Sequence, residues 1–338
     1  MKLRKMAAIA AASLMVFSMT ACGGSKPAET TAAPAATEAA TEAAKDGAAE
    51  TEAASEAGET EAAAEIVGSG SVGLSLSTLN NPFFVTLSDG AEAKAKELGV
   101  DLIVVDAGDD SAKQTSDIED LISKDISVLI VNPVDSDAVA PAVEDAIEKG
   151  IKVIAVDRVV NGVEVDCSIA SDNVAGAKMA TEYLVELAGE KAKTAELEGV
   201  NGASATIDRG EGFHSVADEK LDVVASQTAN FNRAEGMTVM ENMLQANPDI
   251  KCVFAHNDEM ALGAIEAIGD KEIIVAGFDA TDDAIEAVKE GTMAATVAQQ
   301  PDLMGATAVE TATKLMAGET VEKTLPVEVS LVTKDNVQ

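Results

Sequence analysis

Val72-Gly-Leu-Ser-Leu-Ser77 is a short aliphatic run, and Asn81-Pro82 follows it closely. Pro82–Leu98 then repeats its apolar residues at helical spacing until a second run, Asp101-Leu-Ile-Val-Val-Asp106. Strand, helix, strand is the reading, with both strands buried and parallel. The unit recurs. Val128–Val131 and Lys152–Val156 are further predicted strands, with helices over Ala112–Ser123 and Ala138–Lys149. A second series has strands near Lys193–Leu197, Val223–Ser226, Cys252–Ala255 and Ile273–Ala276. Its helices are predicted over Val174–Leu187, Arg233–Gln245 and Glu259–Ile268. Crossovers between parallel strands are right-handed and lay helices on both faces of the sheet, so two series imply two doubly wound α/β lobes.

Upstream, composition changes twice. Lys2, Arg4 and Lys5 precede an apolar run from Met6 to Phe17, too short to span a bilayer, which predicts a cleaved secretory signal over 1–21. Residues 23–65 hold ten acids, two lysines and no large apolar side chain, so nothing there offsets the entropy of ordering. They are expected to form a disordered acidic tether to a working region over 66–338. The whole chain has 338 residues and a formal net charge of −35. Such a surface repels phosphate backbones, which excludes nucleic-acid binding through a basic patch. Three scattered Cys and two His supply neither common zinc-site spacing nor a disulfide framework, so no metal or cofactor is expected.

Gly68-Ser-Gly-Ser-Val-Gly73 fits a dinucleotide fingerprint in letters only, because it precedes a strand and opens no helix. His256 sits at a strand end and reads as structural; His214 falls in a helix-like stretch and reads as a surface residue. Neither makes a nucleophile–base pair.

Ligands of open parallel sheets sit beyond the carboxyl ends of the strands. There the chain places Ser77, Asn81, Phe83 and Phe84 after the first strand and Asp157-Arg158 after the fourth. The second series offers Arg209 before a Gly-Glu-Gly-Phe turn, then Phe231, Asn257, Phe278-Asp279 and Gln299. Singly, Asn81 and Asn257 also read as helix caps, Asp279 as a turn residue and Arg209 as a surface charge. Together they are donors and acceptors converging on one crevice. Phe83, Phe84, Phe231 and Phe278 lie beside them, outside the predicted strand interiors. Flat rings next to a polar rim suit a small sugar, whose C–H faces stack while its hydroxyls bond to charged groups. An enzyme acting on a sugar would need a poised base; Asp157 and Asp279, paired with arginine, are expected to stay low in pKa and only accept hydrogen bonds.

Ser77-Thr-Leu-Asn-Asn-Pro-Phe-Phe84, Asn132-Pro-Val-Asp-Ser-Asp-Ala138, Ile169-Ala-Ser-Asp-Asn173, Arg209-Gly-Glu-Gly-Phe213, Asn257-Asp-Glu-Met-Ala-Leu-Gly263 and Ala294-Ala-Thr-Val-Ala-Gln299 resemble the ribose-binding proteins of bacterial ABC importers, within the periplasmic binding protein type I family. That resemblance implies that Asn81, Asp157, Arg158, Arg209, Asn257, Asp279 and Gln299 hydrogen-bond D-ribose. Ser77 would assist at the rim, and the four phenylalanines would sandwich the ring. It also implies a multi-crossing hinge, with 66–171 and 300–328 in one lobe and 172–299 and 329–338 in the other. A permease and its cytoplasmic ATPase would be the partners of a monomeric receptor. Allose-like sugars, autoinducer-2 and presentation of sugar to a sensory receptor are the alternatives within the family. Met19-Thr-Ala-Cys22 resembles a lipobox, which implies that Cys22 is acylated and that this lipid, through the tether that completes 22–65, holds the protein on the extracytoplasmic face of the membrane.

Overall fold

A computed structural model describes residues 70–337. The predicted signal, acidic tether and lipidated Cys22 lie outside the described residues.

The first half of the fold runs β1 (Ser71–Leu76), α1 (Pro82–Leu98), β2 (Asp101–Asp106), α2 (Ser111–Ser123), β3 (Val128–Val131), α3 (Ala140–Glu148), β4 (Lys152–Val156) and β5 (Cys167–Ser171). Next come α4 (Asn173–Ala188), β6 (Lys193–Glu198), α5 (Ser204–Lys220), β7 (Asp222–Thr228), α6 (Arg233–Ala246), β8 (Cys252–Ala255) and α7 (Asp258–Ile268). The chain closes with β9 (Ile274–Asp279), α8 (Asp282–Glu290), β10 (Ala295–Ala298), α9 (Pro301–Met316), β11 (Thr324–Val327) and β12 (Ser330–Thr333).

One sheet has the order β11-β5-β4-β3-β1-β2, all parallel. The other has β12-β10-β9-β8-β6-β7 and is parallel except where β12 runs against β10. Apolar clusters cover both faces of each sheet. Leu74, Ile130 and Ile154 are fully buried on the first and Val253, Ala255 and Phe254 on the second. Each large aliphatic side chain so buried contributes roughly 1.5–3 kcal/mol.

Local chemistry sets the helix starts. Asn81 Oδ1 accepts from Phe83 N at 3.0 Å with Pro82 at the first helical position, and Gly99 ends α1 in the left-handed conformation at φ 67°. Asp110 caps α2 through Ala112 N at 2.8 Å.

The chain passes between sheets at three places: between β5 and α4, between β10 and α9, and between β11 and β12. Helix α9 lies along α1 so closely that a Cβ on Gly90 would strike the Asp302 backbone and one on Gly305 the Leu87 carbonyl. The first sheet is therefore completed from the far end of the chain.

Three expectations are corrected. Arg209-Gly-Glu-Gly-Phe is no turn but the middle of α5, where Gly212 lets the helix approach the Val174 carbonyl and Ala177 of α4. Phe278 and Asp279 do not follow β9 but end it, because β10 extends the ladder with Val297 opposite Phe278 and Ala298 opposite Asp279. Ser77 is wholly buried rather than at a rim, its N–H bonded to Asn132 Oδ1 at 3.1 Å.

Candidate functional site

Carboxyl ends of both sheets converge on one small cavity lined by Asn81, Phe83, Phe84, Asp157, Arg158, Ala205, Arg209, Phe231, Asn257 and Asp279. Gln299 joins them through Asp279, to whose Oδ1 its Nε2 donates at 2.7 Å. Asn81 and Asn257 both cap helices and also line the cavity; Asn257 Oδ1 accepts from Met260 N at 3.0 Å.

On the first lobe, Asp157 leaves β4 with φ 64°, a left-handed conformation that costs a non-glycine residue about 1 kcal/mol or more. Asn132, at the end of β3, holds it there. Its Nδ2 donates to Asp157 Oδ2 at 3.0 Å and to the Val156 carbonyl at 3.2 Å. Gln114 from α2 in turn donates to the Asn132 carbonyl at 2.9 Å. Arg158 Nη1 donates to the Pro133 carbonyl at 2.8 Å, and its guanidinium carbon stands 5.2 Å from the Phe84 centroid and 5.4 Å from that of Phe231. Phe84 and Phe231 come from different lobes, so Arg158 lies between them.

On the second lobe the cleft arginine is Arg209, from within α5. Its Nε donates to Asn173 Oδ1 at 2.9 Å and its Nη1 to the His256 carbonyl at 2.6 Å. Its guanidinium carbon is 3.9 Å from the Phe278 centroid. Phe278 is fully buried, packed against Gly176, and bears on the cleft through Arg209 rather than by lining it. Arg209 is 3% exposed, which rules out the surface-charge reading. Phe231 has φ 56°, a conformation unusual for a bulky residue.

The electrostatics depart from expectation. Burial pushes the Asp157 carboxyl up despite the pull of Arg158, Arg209 and the Asn132 bond. It pushes Asp279 well up despite Arg209, with Asp258 and Asp157 adding repulsion and the Gln299 bond opposing. Pairing with arginine does not hold either acid low because the guanidinium nitrogens stand at 3.6 Å and 3.7 Å, beyond good hydrogen-bond length. Burial likewise lowers both arginines. Among the described residues, Arg158 Nε and Gln299 Oε1 are buried without a hydrogen-bond partner.

Five supporting polar residues have no role in the sequence reading: Gln114, Asn132, Asn173, Asp258 and Glu196. Asp258 is wholly buried and accepts from Thr296 Oγ1 at 2.6 Å and Thr281 N at 2.8 Å, bracing the loop after Asp279. Glu196 Oε1 bonds to His256 Nε2 at 3.0 Å and Oε2 to Ser226 Oγ at 2.7 Å and His214 Nε2 at 3.2 Å. A polar residue interrupting or closing an apolar strand run was the available signal for Asn132 and Glu196. The imidazole of His256 is turned into this cluster, and only its carbonyl reaches the site residues. The cleft thus offers charged donors, carboxylate acceptors and aromatic faces, with no nucleophile beside a base.

Two parallel-sheet lobes, joined by three crossings and closing on a buried polar cleft, define a class of small-molecule receptors. The chain belongs to the periplasmic binding protein family, whose domain model matches residues 72–320. It is 52% identical over 266 residues to the ribose import binding protein of Bacillus subtilis, covering 78% of this chain and 87% of that one. The ribose import binding protein of Escherichia coli is 48% identical over 276 residues, covering 80% and 93%. Among solved structures, an ABC transporter solute binding protein from Bacillus halodurans with bound myo-inositol superposes with a TM-score of 0.76 at 35% identity, covering 80% of this chain and 96% of that one.

Proposed function

We propose that this protein is the extracytoplasmic substrate-binding component of an ABC importer and that D-ribose is its ligand. The observation that carries the reading is a cleft in which Asp157, Arg158, Arg209 and Asp279 are almost wholly buried beside Phe83, Phe84 and Phe231. Buried Arg158 Nε and Gln299 Oε1 await partners that a polyol supplies. Asn81, Asp157 and Arg158 would bond one edge of the sugar and Arg209, Asn257, Asp279 and Gln299 the other, with Ser77 beneath. Phe83, Phe84 and Phe231 would face the ring, and Phe278 would back Arg209. Residues 66–171 and 300–328 would then close on 172–299 and 329–338 about the three crossings. A permease and its ATPase would receive the sugar from this monomer.

Thermal unfolding with D-ribose, allose, galactose, xylose and arabinose tests the ligand. Ribose at about 100 times its Kd adds roughly 2.7 kcal/mol, a shift of a few degrees. A shift with another sugar and none with ribose would replace the ligand and keep the class. Cys22 would carry the lipid anchor: Cys22→Ala should release the protein from membranes at unchanged ribose affinity, and continued membrane association would refute Cys22 as the anchor.

A further inference from the structure

Helix α5 carries Arg209 yet has no cap of its own. Its N-cap residue, Ala203, has no side-chain acceptor for the orphan N–H groups of the first turn. Ser136 fills the need from the other lobe. It lies in the connection between β3 and α3, and its Oγ accepts from Ser204 N, the first helical residue of α5, at 3.2 Å. Two further bonds join the same lobes: Ser136 N donates to the Gly202 carbonyl at 3.0 Å, and Ser204 Oγ accepts at 3.1 Å from Val159 N, in the loop after β4. Gly202 has φ 89°, and a Cβ there would run into the Asp135 carboxylate, so only glycine permits this approach. Ser136 is fully buried and Ser204 is 7% exposed. Neither lines the cleft, whereas Ala205 and Arg209 of the same helix do.

We propose that Ser136 and Ser204 form a latch across the lobes in which Ser136 caps α5 in trans, so that closure over the sugar completes the helix presenting Arg209. This rests on the ribose-closure reading and deepens it, assigning affinity to residues that never touch ligand. When the lobes part, water replaces each bond. The bonds therefore weigh only on the balance between closed and open states, and they raise apparent affinity by populating the closed form. Ser136 and Ser204 are positioning residues in this sense.

Ser136→Ala and Ser204→Ala in the intact protein, with ribose as probe, supply the test. Each is expected to weaken ribose binding about three- to tenfold, through faster dissociation with association little changed. The sugar-free unfolding temperature should stay at the wild-type value, since the open state lacks these bonds. Ser204→Thr, which keeps the hydroxyl, should bind more tightly than Ser204→Ala. Wild-type affinity and dissociation rate in both alanine variants would overturn the latch. A fall in sugar-free stability that parallels the loss of affinity would overturn it too, by making the serines merely structural. Failure of the wild type to bind ribose would instead overturn the ligand assignment on which the latch depends.

Discussion

The guanidinium carbon of Arg209 stands 3.9 Å from the ring centroid of Phe278. The ring therefore serves as a platform for the charge, while the His256 carbonyl and Asn173 amide oxygen fix the guanidinium in plane through Nη1 and Nε. Lysine keeps the charge but cannot satisfy two acceptors in that fork geometry or stack as a plane. Arg209→Lys should weaken ribose binding by about 2 kcal/mol, roughly thirtyfold, by titration calorimetry. Undiminished affinity would reduce the residue to a point charge.

Arg158→Ala and Asp279→Ala each remove one member of a buried polar set and strand the others. Ribose affinity should fall by more than about 2 kcal/mol in each. Calorimetry on variants with wild-type circular dichroism is the measurement, and near-native binding in either would remove that residue from the recognition set.

Acidity offers a separate check at Asp258, whose carboxyl burial raises from 3.8 to about 7 against bonds from Thr296 and Thr281. An acid raised in the folded state contributes stability that is fully present below its unfolded pKa and lost as pH rises through the folded one. The margin of wild type over Asp258→Asn in thermal unfolding should accordingly shrink between about pH 4 and pH 7. A margin that grows over this range would contradict a protonated Asp258.

His256 runs the other way. Burial lowers it from 6.5, opposed by the Glu196 bond, and the folded protein holds it neutral. Its contribution is complete above pH 6.5 and is lost as pH falls through the lowered value. Acidifying from neutrality to pH 5 should therefore cost the wild type more stability than His256→Gln, as read by unfolding midpoints in urea.

Much of this architecture is written in local pattern. Val128–Val131, Lys152–Val156 and Cys252–Ala255 are strands as read, because each is an apolar run, after Lys152 in the second, bounded by polar or turn residues. Asn81-Pro82 marks the start of α1 to the residue. What escaped depends on distant partners. The two glycines after Arg209 carry a turn signal, and only the close approach of α4 reveals that one of them serves helix packing. The true end of β9 is set by β10, some twenty positions later. Likewise Asn132, Asn173 and Asp258 matter through what they brace, and the left-handed backbone of Asp157 and Phe231 leaves no mark in residue type. Most residues that line the cleft sit at or just after strand ends, where the sequence reading looks for them; Arg209 in mid-helix and most of the bracing residues do not.

The three crossings also set a timetable. Lys323 Nζ donates to the Val165 carbonyl across 158 positions, and β11 pairs with β5 over a similar span. As the ribosome releases the chain in order, the first lobe lacks α9 and β11 until residue 327 has emerged, so its sheet cannot be finished early. A nascent chain with this wiring remains unfinished until synthesis is nearly over.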